Sequence, residues 1–362
     1  MRRTNFALPF FLVVPIALLA TQQTGQSGPD VAGAARSAAA LPQLHTLLVS
    51  AGGQVVFEYH ARGRSIDRPA NIKSAGKSVI SALVGVAIDR GLISGVKQPI
   101  AAFFPELKRA ADARKQRITV EDLLTMRSGL ESTSGHNYGR WVSSRNWVSH
   151  VLTRPLVSDP GASMEYSTGT SHLLSAILTK VTKTSTWQFA QSTLGQALGT
   201  PLPRWTRDPQ GIYLGGNEML MTPRQMVAFG EVYLHEGRAG GRQIVSPEWV
   251  RTSCVPRTIS RFDPDREYGY GWWIDEVGGH TACFAWGFGG QYIMVFRDLD
   301  LVVAATSSTA TSDERHGYRR QLLDLIGNQV IPVVAERQLK SNRAPVRSVV
   351  PGALSRSPVE LQ

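Results

Sequence analysis

Ser74-Ala75-Gly76-Lys77 places a hydroxyl and an amine three residues apart. On a helix, residues i and i+3 stand side by side, so Lys77 can reach the Ser74 oxygen. A serine hydroxyl is a weak nucleophile until a neighbour takes its proton. A lysine can do so only when neutral, which requires partial burial or nearby positive charge. The stretch that follows, residues 78–91, is apolar with small side chains and ends at Gly91, which suits a C-cap. Ser74 then stands at the N-terminus of a buried helix, where backbone N–H groups and the helix dipole favour the negative charge of an attacked carbonyl. An N-cap serine followed by a solvated lysine would share the spacing, although the dipole disfavours lysine there. Ser94 and Lys97 repeat it in a glycine- and proline-bounded loop with no helix to hold it, and that copy is expected to be inert.

Two further segments carry compatible chemistry. Tyr166 lies on a loop just before a helical pattern, and a phenol near a cationic lysine ionises more readily and can act as general acid or base. A core or rim tyrosine is its structural alternative. Residues 284–290, Phe-Ala-Trp-Gly-Phe-Gly-Gly, leave a strand with glycines dense enough for close backbone approach. A backbone N–H there would supply a second oxyanion donor beside that of Ser74; a glycine-rich bulge is the alternative.

The elements that must position these residues follow from the pattern. Residues 44–50 and 54–60 flank Ala51-Gly52-Gly53 and read as a hairpin. Helical patterns cover 119–128, 170–183, 186–198 and 222–236, and strands return at 268–274, 280–286, 291–297 and 301–306. Residues 298–300 form the turn between the last two strands, and a helix over 313–329 closes the unit. Strands at both ends around a helical middle predict a mixed α/β (α+β) fold: one antiparallel sheet built from both termini, flanked by helices, with an inserted helical subdomain at about 85–237. The site is expected in the cleft between sheet and insert.

Composition bounds the rest. The chain of 362 residues is 42% hydrophobic and 19% charged, enough to bury a large core. Arg2 and Arg3 precede an apolar run, 6–20, and then a polar stretch, which reads as a signal peptide over 1–25 with an uncleaved anchor as its rival. The run is shorter than the ~20 apolar residues of a membrane span. Export to the periplasm or beyond is the expectation. Residues 26–43 read as a small-residue linker, 44–335 as the hydrolase unit and 336–362 as a basic disordered tail. Cys254 and Cys283 could form one bridge after export or remain two buried thiols. No close Cys/His cluster points to a metal. The net charge of +11 lies largely at the two ends and fits general affinity for acidic envelope surfaces rather than nucleic-acid binding.

Together these residues resemble the serine β-lactamase and penicillin-binding-protein superfamily, especially its class C-like esterase and amidase branch, which includes hydrolases of 6-aminohexanoate dimers. Ser74-Ala75-Gly76-Lys77 is similar to the family's Ser-x-x-Lys motif, Tyr166-Ser167-Thr168 to its Tyr-x-Asn motif after Pro160-Gly161, and Ala285-Trp286-Gly287 to its third, Lys/His-Thr/Ser-Gly motif. The resemblance spans about residues 44–330. It implies that Lys77 and Tyr166 jointly deprotonate Ser74, that the N–H groups of Ser74 and Phe288 hold the oxyanion, and that an acyl-enzyme forms without a cofactor. Trp286, Gly287 and Thr168 would line the substrate, a small ester or amide. Two departures narrow this. Thr168 replaces an asparagine that orients lysine and substrate amide. Ala285 replaces the cation that attracts a β-lactam carboxylate, a contact worth ~1.5–3 kcal/mol, or roughly ten- to a hundredfold in binding. Peptidase action on D-amino acid cell-wall peptides, and a non-catalytic binding protein on the same fold, are the alternatives. Tyr138, Trp141, Trp147 and His136 fall in the irregular part of the insert, either bordering the cleft or packing.

Overall fold

A computed structural model describes residues 30–336, apart from Gln196, Phe262 and residues 311–316. The segment read as a signal peptide, the start of the helix expected over 313–329 and, beyond Glu336, the segment read as a basic tail lie outside the described residues.

The segment expected to be a linker begins instead with helix α1 (Val31–Ala39), whose N-cap Asp30 accepts the Gly33 N–H. Ala34 and Ala38, one turn apart, are buried against the sheet and the C-terminal helix. Small residues at i and i+4 let a helix approach closely, and a segment made almost entirely of them carries little amphipathic contrast in its sequence. Residues 31–39 of that segment are therefore helical and packed against the sheet.

Strands β1 (Leu44–Ala51) and β2 (Gln54–His60) form the expected hairpin. Gly52 and Gly53, at φ 55° and 72°, supply the left-handed turn that a two-residue hairpin loop needs. The main sheet has eight strands in the order β2-β1-β12-β11-β10-β9-β8-β7. Short ladders join β3 (Ala70–Asn71) to β4 (Leu220–Met221) and β5 (Arg238–Ala239) to β6 (Arg242–Gln243). The remaining sheet strands are β7 (Thr258–Ile259), β8 (Glu267–Tyr268), β9 (Trp273–Val277), β10 (His280–Gly287), β11 (Gln291–Phe296) and β12 (Leu301–Ser307). The single strand expected over 268–274 is thus two, broken where Gly271 takes φ 76°. All recorded pairings in this sheet are antiparallel, and β1 lies against β12, so both ends of the chain build it.

Along β11 and β12, Ile293, Val295, Val302 and Ala304 face one core, and Tyr292, Met294, Val303 and Ala305 face the other. A sheet covered on both sides reads as continuous apolar runs, which is why these strands show little alternation. The second core packs under α1 and α10 (Tyr318–Leu325), which continues through a π-helical turn, Ile326–Val330. The first core holds α2 (Gly76–Asp89), α3 (Val120–Leu124), α5 (Trp147–Thr153), α6 (Thr168–Thr182), α7 (Thr186–Thr193), α8 (Pro223–Leu234) and α9 (Pro247–Ser253), with α4 (Tyr138–Val142) beside α5. Helix α2 is buried on every side over residues 76–87, matching its all-round apolar sequence. At Gly85 a β-carbon would stand 2.5 Å from the Trp249 ring, so only glycine lets α9 sit this close. Cys254 and Cys283 form a disulfide with Cα atoms 5.8 Å apart, joining the end of α9 to β10.

Candidate active site

Ser74 sits in a 3-10 turn, Lys73–Ala75, immediately before α2. The turn is held from three sides. The Ile72 N–H donates to the Met219 carbonyl at 2.9 Å. Asn71 Oδ1 accepts the Lys73 N–H at 3.0 Å, and Glu218 takes the Asn71 amide at 2.5 Å and the Lys73 ammonium at 2.8 Å. These contacts fix Lys73 at φ 51°, an unusual conformation for a residue with a side chain, beside the candidate nucleophile. From β10, the position of a Gly287 β-carbon would be 2.1 Å from the Ile72 carbonyl oxygen. Glycine is required there because the protein's own turn, rather than a ligand, occupies that space.

Lys77, one turn into the helix system, is 3% exposed. Its Nζ lies 3.0 Å from Ser74 Oγ, 3.3 Å from Thr168 Oγ1 and 2.8 Å from the Gly216 carbonyl. Burial lowers its pKa to about 7, so a large share of the amine is neutral at physiological pH. The Thr168 hydroxyl fills the place of the asparagine in the resemblance and is itself 3.1 Å from Ser134 Oγ. The inert pair expected at Ser94 and Lys97 is indeed spent elsewhere: Ser94 Oγ bonds Gln98 at 2.8 Å, and the exposed Lys97 pairs with Glu121.

Tyr166 stacks on Trp273, ring centroids 5.7 Å apart, and its hydroxyl hydrogen-bonds Ser74. The Lys77 Nζ lies 4.9 Å from the Tyr166 ring centroid. Ready ionisation of this phenol was the expectation. Burial pushes it the other way, up to about 12, and the hydrogen bond with Ser74 offsets only part of that. Tyr166 is therefore a protonated hydroxyl at neutral pH.

A cavity of about 350 Å³ opens over Ser74 and Tyr166. Trp273, Trp286 and Phe288 wall it, Phe288 being 52% exposed, and Asp263, Arg266 and Arg319 close its far side. Both guanidiniums lie 5.4 Å from the Trp286 ring, and Arg266 also pairs with Asp263 at 2.6 Å. Ala285 is fully buried in the core on the helix α2 side. The cations near the site thus come from Arg266 and Arg319, on a loop and on α10, where no local motif marks them. A wider surface groove of about 810 Å³ passes Glu165 and Arg261 without including Ser74. Trp141 and Trp147 pack, almost wholly buried, around the His172 ring, while Tyr138 accepts a bond from Asn217 at 2.9 Å.

A half-buried serine and tyrosine beside a buried lysine, between an antiparallel sheet and a helical layer, define an acyl-transfer architecture. The beta-lactamase family profile matches residues 26–328, and the chain belongs to that family. The hydrolase class expected from the sequence stands with it. A 6-aminohexanoate-dimer hydrolase of Paenarthrobacter ureafaciens is 24% identical over 306 residues, covering 77% of this chain and 76% of its own length. In fold, the chain is similar to a candidate 6-aminohexanoate-dimer hydrolase from Bacillus anthracis (TM-score 0.67, 19% identity, 82% and 80% coverage). It is also similar to a class C beta-lactamase from Rhodobacter sphaeroides (TM-score 0.60, 18% identity, 82% and 98% coverage).

Proposed function

We propose that the protein hydrolyses carboxylic esters or amides through an acyl-enzyme on Ser74. The observation that carries this is the buried Lys77 amine, 3.0 Å from Ser74 Oγ, whose pKa burial brings down to about 7. With its two N–H groups directed at Gly216 and Thr168, the neutral amine presents its lone pair to the Ser74 hydroxyl. Lys77 takes the Ser74 proton as the oxygen attacks the carbonyl, and the backbone N–H groups of Ser74 and Phe288 receive the oxyanion. The proton returns to the leaving oxygen or nitrogen by way of the Tyr166 hydroxyl. A water then attacks the acyl carbonyl while its proton passes along the same route to Lys77, and Lys77 hands that proton to Ser74 Oγ as the bond to the acyl carbon breaks and the acid leaves. Gly287 lets the turn and strand meet, Trp286 and Phe288 enclose an apolar acyl group, and Thr168 steadies the amine.

Incubation with p-nitrophenyl esters, linear amide dimers, D-alanyl peptides and nitrocefin, followed by intact-mass measurement, tests the reading. An acyl adduct on Ser74 and turnover are expected with esters or amides of apolar acids. Nitrocefin should turn over poorly, because Ala285 supplies no cation and the two arginines lining the cavity are engaged by Asp263, Asp275 and the Trp286 ring. An adduct formed with D-alanyl peptides alone would replace this reading with the peptidase one.

Tyr166→Phe keeps the stack on Trp273 and removes only the proton carrier. It is expected to lower kcat by about 10²–10⁴-fold with little change in KM. An unchanged kcat would remove Tyr166 from the proton path.

We further propose that the protein acts after export. The basic, apolar and polar sequence of residues 2–29 supports this, as does a Cys254–Cys283 bridge of the kind that persists in oxidising compartments. The charge of +11 suits an acidic envelope surface.

A further inference from the structure

His172 and Asp208 form a buried polar pair that the proposed mechanism does not use. Both side chains are 0% exposed, and His172 Nε2 lies 3.0 Å from Asp208 Oδ2. The other ring nitrogen, Nδ1, accepts the Gly215 N–H at 3.3 Å. A nitrogen that accepts carries no proton, so the ring proton sits on Nε2 and is donated to the carboxylate. Asp208 Oδ1 accepts the N–H groups of Gln210 at 2.9 Å and Ile212 at 2.8 Å. One carboxylate thus gathers a loop that the ring then ties to α6.

What this loop carries is the Gly215–Gly216 peptide. A β-carbon at Gly215 would be 2.4 Å from the Ser171 carbonyl, and one at Gly216 would be 2.4 Å from Lys77 Cγ. The backbone is therefore wedged between α6 and the Lys77 stem, with the Gly216 carbonyl 2.8 Å from Nζ. We propose that His172 and Asp208 are positioning residues for the hydrolysis: they fix the Gly215–Gly216 backbone so that it aims the Lys77 amine at Ser74 and keeps water off it. This rests on the reading of Lys77 as the base of Ser74.

The titratable side chain recorded against Lys77 is Tyr166, 4.9 Å away at its ring centroid on the approach to α6. Against His172 it is Asp208 from the loop, with Trp141 of α4 and Trp147 of α5 closing the other sides at 5.8 and 5.6 Å. Glu218, further along the loop, is taken up by Lys73. Neither member of the pair touches Ser74 in the recorded contacts, so its influence passes through backbone.

The test compares pH–rate profiles of purified wild type with His172→Phe and Asp208→Asn on an ester that wild type turns over. Asp208→Asn sets its amide NH2 against either His172 Nε2–H or the Gln210 and Ile212 N–H groups, and a tautomer change at the ring only moves the first conflict to the Gly215 N–H. A loosened loop admits water to Lys77, which favours its ammonium form. Both variants are expected to lose about fivefold in kcat at pH 7 with KM unchanged, to show an acid limb displaced upward by about one pH unit from the value of about 7, and to recover most of the rate at high pH. A rate reduced by one factor at every pH, or an unmoved profile, would overturn the proposal. Should His172→Phe fail to fold, His172→Asn and His172→Gln serve instead. Each keeps one of the ring's two contacts, asparagine the acceptor for Gly215 and glutamine the donor to Asp208, so both are expected to displace the acid limb upward. A wild-type profile in either would overturn the proposal. If Ser74→Ala remained active, the reading of the site itself would fail, a result separate from any outcome at His172.

Discussion

Replacement of Ser74 by alanine is expected to lower ester turnover by about 10⁶-fold, since residues that act as one catalytic unit lose nearly everything with the nucleophile. Labelling by a fluorophosphonate probe should vanish with it. The fold should not change, because the hydroxyl is bonded only within the site, near Lys77 and Tyr166, while the turn that carries it is held by Asn71, Met219 and Glu218. Steady-state kinetics, probe labelling and a thermal melt on the same preparation check all three. Retained labelling would place the nucleophile elsewhere.

Lys77→Met is expected to cost almost as much activity and, in the opposite direction, to stabilise the protein. The folded-state pKa of about 7 lies well below the value of ~10.4 in an unfolded chain, so the unfolded state binds more protons between those limits. Stability of the wild type is therefore lowest below pH 7 and rises as pH climbs toward 10. At pH 7 the buried amine costs on the order of 4 kcal/mol, by 1.36 kcal/mol per pKa unit. Loss of the donor to the Gly216 carbonyl and Thr168 hydroxyl returns ~1–3 kcal/mol of that. Thermal melts from pH 6 to 10 should show the variant ahead at neutral pH and the gap closing with alkali. In the wild type, kcat/KM should rise with pH through about 7 as Lys77 loses its proton. A gap independent of pH would show that Lys77 is not the buried titrating group.

Much of this architecture could be read from the sequence where the signal was local. The hairpin at Gly52-Gly53, the apolar run of α2 and the turn at 298–300 each follow from a few adjacent residues, and the structure places all three as expected. Helix α1 escaped because alanine and glycine report neither face nor period, although Asp30 was a visible cap. The break between β8 and β9 turned on a single left-handed glycine in an aromatic run. At the site, residue type and spacing single out Ser74, Lys77 and Tyr166, and the structure puts Lys77 Nζ 3.0 Å from Ser74 Oγ and lines one cavity with Ser74, Tyr166, Trp286 and Phe288. The protonation of Tyr166 is not legible in the sequence, because a phenol's burial depends on Trp273 and Tyr268 packing against it from distant strands. Gly216, His172 and Asp208 had no sequence signal at all. Their relation to Lys77 arises from a loop folding back across two helices, which no periodicity encodes.

The pairing of β1 with β12 has a consequence for how the protein is made. Leu44 lies opposite Ser307, and Ala51 opposite Leu301. During synthesis the first hairpin emerges early but waits through some 250 residues for the strand that flanks it, at a rate of about 5–20 residues per second. Contacts of such separation form late and slowly. Until β12 is available, β1 has one open edge and the sheet cannot complete the face on which α2 and the Ser74 turn rest. Any nascent or truncated chain ending before residue 307 therefore carries the serine and the lysine without the strand β1 needs, which keeps nucleophile assembly to the last stage of folding.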